Sequence, residues 1–333
     1  MQILVCGGAG FIGSAFIRNY LQHNPNSKIT NLDILTIGSS LENLKEIKNN
    51  PNYSFIKDDI RNESKVDNLV KNVDVVVNFA AESHVDRSIV NPKPFIETNI
   101  LGTYSILEAI RKHDKQFIHV STDEIYGDAQ GQSSFDENSQ INPSNPYAAT
   151  KAAADHLVSS YYRTYGINCI TTRCTNNFGP CQFPEKLIPK TIIRALKNLK
   201  IPLYGDGQQI RSWIYVYDHV QAIESLISKG KPGQVYNITA YEEITNKTIV
   251  EKILDILGKS HDNIEYVEDR PGHDKRYSIN CSKIENEVGW KSKYEFEAAL
   301  QETVDWYLQN KSWWEPLIDE NTLHPQPWTL SRK

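Results

Sequence analysis

The feature that most constrains this chain is an alternation. Across its first half, short apolar runs take turns with longer amphipathic stretches. Ile3–Cys6, Ile29–Leu32, Tyr53–Ile56, Asp74–Phe79, Gln116–Ser121 and Asn168–Arg173 are β-branched or continuously apolar, as strands buried on both faces should be. Between them lie the helix-length segments Phe11–Asn24, Lys65–Asn72, Asn99–Lys112 and Tyr147–Tyr165. Strand–helix alternation of this kind closes most readily as a parallel sheet covered by helices on both faces. The expected class is α/β, with a doubly wound parallel sheet.

After Asn176 the pattern changes. Glu185–Leu199, Tyr217–Lys229, Thr245–Leu257, Ser282–Glu287 and Phe296–Gln309 read as helices. Pro202–Tyr204 reads as a strand, followed by a turn at Asp206-Gly207. The expectation is a first domain over 1–176 and a smaller α+β, substrate-binding domain, mainly 177–333, with some late segments returning to the first sheet. The stretch Trp313–Trp328, rich in Trp and Pro, is expected to pack down as an irregular strap.

Composition narrows the function. With 333 residues, the chain is too long for one small core. Hydrophobic residues at 39% and charged residues at 23% describe a globular protein. Acidic residues outnumber basic ones, 41 to 36, which argues against a nucleic-acid partner. The five cysteines, Cys6, Cys169, Cys174, Cys181 and Cys281, are odd in number and scattered, so free thiols in a reducing compartment are expected, and no metal site. No apolar run approaches the ~20 residues that span a bilayer, and MQILVCGGAG reads as a strand entering a glycine turn. A cytoplasmic protein without a membrane partner is expected.

The strongest local signal is that turn. Gly7, Gly10 and Gly13 follow the first strand and open the first helix, in the GGAGFIG run that also carries Phe11 and Ile12. Residues without Cβ let the backbone turn tightly and approach a pyrophosphate, which the helix N-terminus can bind. Asp33 ends the second predicted strand, where a carboxylate accepts from the adenosine ribose and repels a 2′-phosphate. No Arg or Lys follows it before Lys45, so NAD is favoured over NADP. Asp59-Ile60, after the third strand, is placed to reach the adenine.

A second signal lies on a later helix. Tyr147 and Lys151, in YAATK, sit four apart on one helix face. A nearby ammonium is expected to lower the Tyr147 pKa from about 10 towards working pH, making it a base for an alcohol hydroxyl. Ser121-Thr122 ends a predicted strand just upstream, and Asp123-Glu124 follow it. Two adjacent acids can do opposite proton jobs if their surroundings push their pKa values apart.

Together GGAGFIG, Asp33, the strand-end hydroxyls and YAATK resemble the extended short-chain dehydrogenase/reductase family, whose members act on nucleotide sugars. The resemblance implies a Rossmann cofactor domain followed by a nucleotide-sugar-binding domain. Within the family, four motifs resemble the 4,6-dehydratases: Thr122-Asp123-Glu124 in STDEIYG, Ser83-His84-Val85-Asp86-Arg87-Ser88, Asn176-Asn177-Phe178-Gly179-Pro180 with PEKLIP, and the run Asp269-Arg270-Pro271-Gly272-His273-Asp274-Lys275-Arg276-Tyr277. The last is most similar to dehydratases that act on dTDP-glucose. Ile37 and Phe178 stand where the family often has Tyr.

The resemblance implies roles by motif position. Tyr147 takes the C4 hydroxyl proton, Lys151 and Thr122 assist it, Glu124 removes the C5 proton, and Asp123 protonates the departing C6 hydroxyl. NAD is regenerated in each cycle and is expected to stay bound. Thr36, Ala80, Ala81, Thr98 and Asn177 join the cofactor contacts. Ser83, His84, Asn176, Lys186, Leu187, Pro202, Tyr204 and Asn246 are implied at the substrate. Arg211, Arg270 and His273 join them, the two arginines offering paired N–H groups to a diphosphate. The resemblance also implies a homodimer formed through the helices at Asn99–Lys112 and Tyr147–Tyr165. Rival readings are a UDP-sugar 4,6-dehydratase, a 4-epimerase of the same family, or an NAD-sensing module without catalysis.

Overall fold

A computed structural model describes residues 1–129, 131 and 133–332. Seven parallel strands make the main sheet, in the order Val235–Ile238, Cys169–Cys174, Gln116–Thr122, Val75–Asn78, Gln2–Cys6, Lys28–Asp33, Tyr53–Lys57. Every residue of Val75–Asn78 and Cys169–Cys174 is buried, as expected of strands sandwiched between two helical layers. One layer of the core gathers Phe16, Ile17, Ile223 and Leu226; the other gathers Ile106, Ile110, Val158 and Tyr161.

The chain begins in the middle of this sheet. It builds outward through the second and third strands, then returns to the other side of the first for the fourth, fifth and sixth. The direction reverses between Gln2–Cys6 and Val75–Asn78. A crevice opens at the carboxyl ends of strands at such a reversal, and the candidate site lies there.

The second part of the chain is not a separate run. Val235–Ile238 pairs in parallel with Cys169–Cys174 in the main sheet, and the helix Val216–Lys229 packs on Phe11–His23. The remainder forms a three-stranded sheet of Glu242–Thr245, Ile210–Tyr215 and Asn176–Phe178, and a two-stranded one of Ile264–Val267 with Ile201–Tyr204. Helices Leu187–Leu196, Asn246–Ile256 and Phe296–Gln309 bury Ile192, Ile253 and Leu300 beneath them. The strap includes a short helix, Lys311–Trp314, and a 3₁₀ segment, Pro327–Arg332. Its Trp313 indole donates to Asn43 Oδ1 at 2.8 Å, while Leu323 O accepts from Arg194 at 2.5 Å, so it binds both parts of the chain.

One element departs from the periodicity. The segment expected as a single helix, Asn99–Lys112, begins inside a π-helical stretch, Ile96–Gly102, and becomes α-helical only over Thr103–His113. The wider turn carries Asn99 inward, where its side chain accepts from Glu82 N and donates to Glu82 O and Thr150 Oγ1 at 2.9–3.0 Å. Wide turns of this kind often mark functional positions.

Candidate active site

The glycine turn is shaped by close approach. Gly7 has φ +76°, and a Cβ there would lie 2.5 Å from Ala80 N; one on Gly13 would lie 2.3 Å from Gly7 O. Gly10 caps the first helix without a side-chain acceptor, and a Cβ on it would meet only Gly7 O, at 3.4 Å. Its free face lines the pocket together with Phe11, Ile12 and Gly13. Backbone N–H groups at a helix N-terminus, with no side chain in the way, suit a pyrophosphate.

Asp33 is anchored to that turn. Its Oδ2 accepts from Ala9 N at 2.9 Å and its Oδ1 from Leu35 N at 2.8 Å. Burial pushes its pKa up, and these backbone bonds work against that. Thr36, Asp59 and Ile60 complete the far end of the pocket. Arg61 also lines it, a cation the sequence reading did not weigh. Its guanidinium is engaged with Asp59 at 2.6 Å and Glu97 at 3.0 Å, so it is already neutralised by two carboxylates. Burial opposes ionisation of Asp59, but hydrogen bonds from Arg61 hold its pKa below the ordinary value. The residues present therefore fit NAD: a cradle that a Cβ would fill, and an anchored carboxylate beside it. Ala80, Ala81, Thr98 and Asn177 line the same pocket. Asn177 is also used structurally, its Oδ1 lying 2.8 Å from His219 Nδ1.

The strand Gln116–Thr122 delivers Thr122 to the pocket, and the 3₁₀ turn Asp123–Tyr126 follows at once. The Thr122 hydroxyl donates to Asp123 Oδ1 and accepts from Glu124 N, both at 3.3 Å. Asp123 is 3% exposed, and its Oδ2 has no hydrogen-bond partner among the described residues. Burial, then the neighbouring Glu124, push its pKa up to about 8. The Glu124 carboxylate instead accepts from Asn145 Nδ2 and the Tyr277 hydroxyl, both at 3.4 Å. The two adjacent acids thus occupy different surroundings, one dry and partnerless on one oxygen, the other bonded.

Tyr147 and Lys151 stand on Pro146–Tyr165, a helix with clear punctuation. Asn145 caps it by accepting from Ala148 N at 2.9 Å, Pro146 opens it, and Gly166 ends it at φ 69°. The expected effect of Lys151 on Tyr147 is not what the structure gives. Burial, then the Glu124 carboxylate, push the phenol well above its ordinary pKa, and only the Thr122 hydroxyl pulls the other way. The reason is geometric: Lys151 Nζ donates to Val120 O at 2.8 Å, and burial pulls its own pKa down to about 8. Behind it lies a network that sequence reasoning missed. Asp155 pairs with Arg173 at 3.0 Å, His119 stands 3.5 Å from Asp155, and Arg173 donates to the Tyr126 hydroxyl at 2.7 Å. Asp155 lies four residues after Lys151, so helix spacing alone could have flagged it.

The implied substrate residues fall into three groups. Ser83, His84, Asn176 and Lys186 line the pocket with Thr122, Asp123, Glu124, Tyr147 and Lys151. Lys186 Nζ donates to Ser83 O at 2.8 Å, Asn176 Oδ1 is buried without a partner among the described residues, and burial pulls the His84 pKa down to about 4. Arg211, Arg270, Tyr204 and His273 form a second cluster, tied to the pocket because both arginines feel the charge of Glu124. Arg211 stacks on the Tyr277 ring at 4.1 Å and donates to Asp274 O. His273 bonds Asp269 at 2.6 Å and meets the Tyr204 ring edge-on. Leu187, Pro202 and Asn246 sit at element starts or in a strand, and do not line the pocket. No group of three or more metal-ligating side chains is found among the described residues, and all five cysteines are free and buried. No described helix is long and apolar enough to cross a membrane.

The fold and pocket define an NAD-dependent enzyme of the short-chain dehydrogenase/reductase class, built on a Rossmann sheet. A family model described as GDP-mannose 4,6 dehydratase matches residues 4–303. A dTDP-glucose 4,6-dehydratase of Escherichia coli is 44% identical, over 96% of this chain and 97% of that protein. A crystal structure of the dTDP-glucose 4,6-dehydratase of Bacillus anthracis in complex with NAD is 47% identical, with TM-score 0.91 over 96% of this chain and 100% of that one. The dTDP-glucose 4,6-dehydratase of Streptomyces venezuelae superposes with TM-score 0.94 at 41% identity, over 96% and 100% of the two chains. This chain belongs to the dTDP-glucose 4,6-dehydratase family, NAD-dependent hydro-lyases of nucleotide sugars.

Proposed function

We propose that this chain removes water from dTDP-glucose to give dTDP-4-keto-6-deoxyglucose, with an NAD that stays bound between turnovers. The observation that carries the reading is the pair of adjacent acids in unlike surroundings. Bound NAD would accept hydride from C4 and return it to C6, so the redox change cancels within one cycle. The rest is proton movement by side chains. Tyr147 takes the C4 hydroxyl proton, with Thr122 on the same oxygen; the positive charge of bound oxidised NAD, together with Lys151, would offset the burial and the Glu124 charge that hold the phenol high. The resulting ketone acidifies C5–H, and Glu124 removes that proton. Asp123, whose pKa near 8 keeps it protonated at neutral pH, gives its proton to the C6 hydroxyl as water departs. A proton returned to C5 by Glu124 or solvent gives the product, and transfer of the Tyr147 proton through solvent to recharge Asp123 completes the balance. A 4-epimerase has no use for a separate acid and base at C5 and C6, and a pure sensor has no use for either.

The test is incubation with dTDP-, UDP- and CDP-glucose without added NAD, followed by mass spectrometry. Loss of one water from the dTDP sugar is expected. An unchanged mass with inverted C4 would make the chain an epimerase, and preference for the UDP sugar would correct the nucleotide.

The chain is further read as a homodimer. Leu101, Tyr104, Tyr162 and Tyr165 are 37–51% exposed on and beside the helices Thr103–His113 and Pro146–Tyr165. Pairing these helices across a two-fold axis would bury that apolar surface in a four-helix contact. Light scattering should give twice 38.0 kDa; a monomer at micromolar concentration would refute the dimer.

A further inference from the structure

Asp86 sits on the short helix Val85–Val90, in the first part of the chain, and is 2% exposed. Both of its carboxylate oxygens are engaged by residues from the second part. Oδ1 accepts from Arg270 Nη1 at 2.9 Å, and Oδ2 accepts from the Tyr204 hydroxyl at 2.7 Å. Tyr204 lies at the end of the strand Ile201–Tyr204, and Arg270 lies beyond the strand Ile264–Val267 that pairs with it. One buried carboxylate therefore joins the helix that follows His84 to the paired strands Ile201–Tyr204 and Ile264–Val267 and the segment beyond them. Arg270 is left only partly satisfied: its Nε is buried and has no hydrogen-bond partner among the described residues. It feels the charge of Glu124, which lines the pocket.

A guanidinium has five N–H donors in a fixed plane. Fixing one of its nitrogens with a buried carboxylate fixes the directions of the rest. We propose that Asp86 is a positioning residue for the nucleotide sugar: it locks Arg270 and Tyr204 together so that the remaining Arg270 donors are presented to the diphosphate. This rests on the reading of the pocket as a nucleotide-sugar site. Burial opposes ionisation of Asp86, yet Arg270 and Tyr204 hold its pKa down to about 2, so the pair is charged at any working pH. Asp86, like Arg270 and Tyr204, is absent from the lining of the pocket at the glycine turn, so it would act through the groups it holds and not by touching NAD.

The experiment is calorimetric titration with thymidine diphosphate of the NAD-loaded parent, Asp86→Asn and Tyr204→Phe, each also made on an Arg270→Met background. Binding to the parent tests the functional reading alone; a parent that binds none overturns that reading first. Asp86→Asn should weaken binding by about 10- to 100-fold, the range seen when the partner orienting a ligating group is removed. It should raise KM for the nucleotide sugar more than it lowers kcat, and leave bound NAD at the parent level. On the Arg270→Met background neither substitution should weaken binding further, because the group they position is gone. Unchanged affinity in Asp86→Asn and Tyr204→Phe, or losses of the same size with and without Arg270, would overturn the proposal. If Asp86→Asn loses its NAD through misfolding, the Tyr204→Phe pair decides the matter by itself.

Discussion

Asp123 shows what a single side chain can do when its surroundings are dry. Its folded pKa of about 8 stands above the ordinary 3.8 because burial and Glu124 disfavour the anion. For a carboxyl group raised in this way, stability is fully present below the unfolded pKa and is lost as pH rises towards the folded value. Asp123→Asn cannot ionise. Its melting temperature relative to the parent should therefore climb between about pH 4 and about pH 8 and level off above that. A difference that stays flat over this range would mean that Asp123 is not held protonated. Residue-level reading of the sequence reached the places of the glycines and Asp33, because a strand–turn–helix needs residues without Cβ at its close approaches and ends its second strand beside that turn. It did not reach the high Tyr147 phenol, because spacing on a helix says nothing about where Lys151 Nζ turns. Here it turns to Val120 O, and the phenol is pushed up by burial and then by the charge of Glu124.

At the scale of elements, the six strands of the first part were legible because they are rich in β-branched and apolar residues and alternate with helix-length segments. The helix Pro146–Tyr165 was legible because Asn145, Pro146 and Gly166 punctuate it. The π-helical stretch Ile96–Gly102 was not, since its wide turn is set by the fit of Asn99 to Glu82 and Thr150 across the fold. Gly102 belongs to the same fit, because a Cβ there would lie 2.3 Å from Ile60 Cδ1. The strands Ile210–Tyr215, Glu242–Thr245 and Ile264–Val267 were also missed. Each run contains a charged residue, Arg211, Glu242 with Glu243, or Glu265, and pairing with distant partners makes them strands. The network of Asp155, Arg173, His119 and Tyr126 joins the helix of Lys151 to two strands of the main sheet and the turn of the acid pair. A buried ion pair of this kind is a weak source of net stability but costly to break on one side, which suits a device that fixes position.

At the scale of the whole molecule, the cleft is made by a sheet whose order reverses and by a second lobe that is threaded back into that sheet. Val235–Ile238 ties the lobe to the sheet edge, the strap ties it through Asn43, and Asp86 ties it at the cleft. The cofactor end and the acid pair line one space, and the arginine cluster lies within electrostatic reach of Glu124. Oxidation at C4 and elimination across C5 and C6 are, in the proposed cycle, separate stages served by separate residues. Glu124→Gln separates them. With dTDP-glucose added, the variant should develop the absorbance of reduced nicotinamide, because Tyr147, Lys151 and Thr122 are untouched. Water loss should slow by about 10²–10⁴-fold, the usual contribution of a general base. Tyr147→Phe should show neither signal. Parent-rate turnover by Glu124→Gln, or failure of that variant to give either reduced nicotinamide or product, would contradict the assignment of the acid pair to elimination.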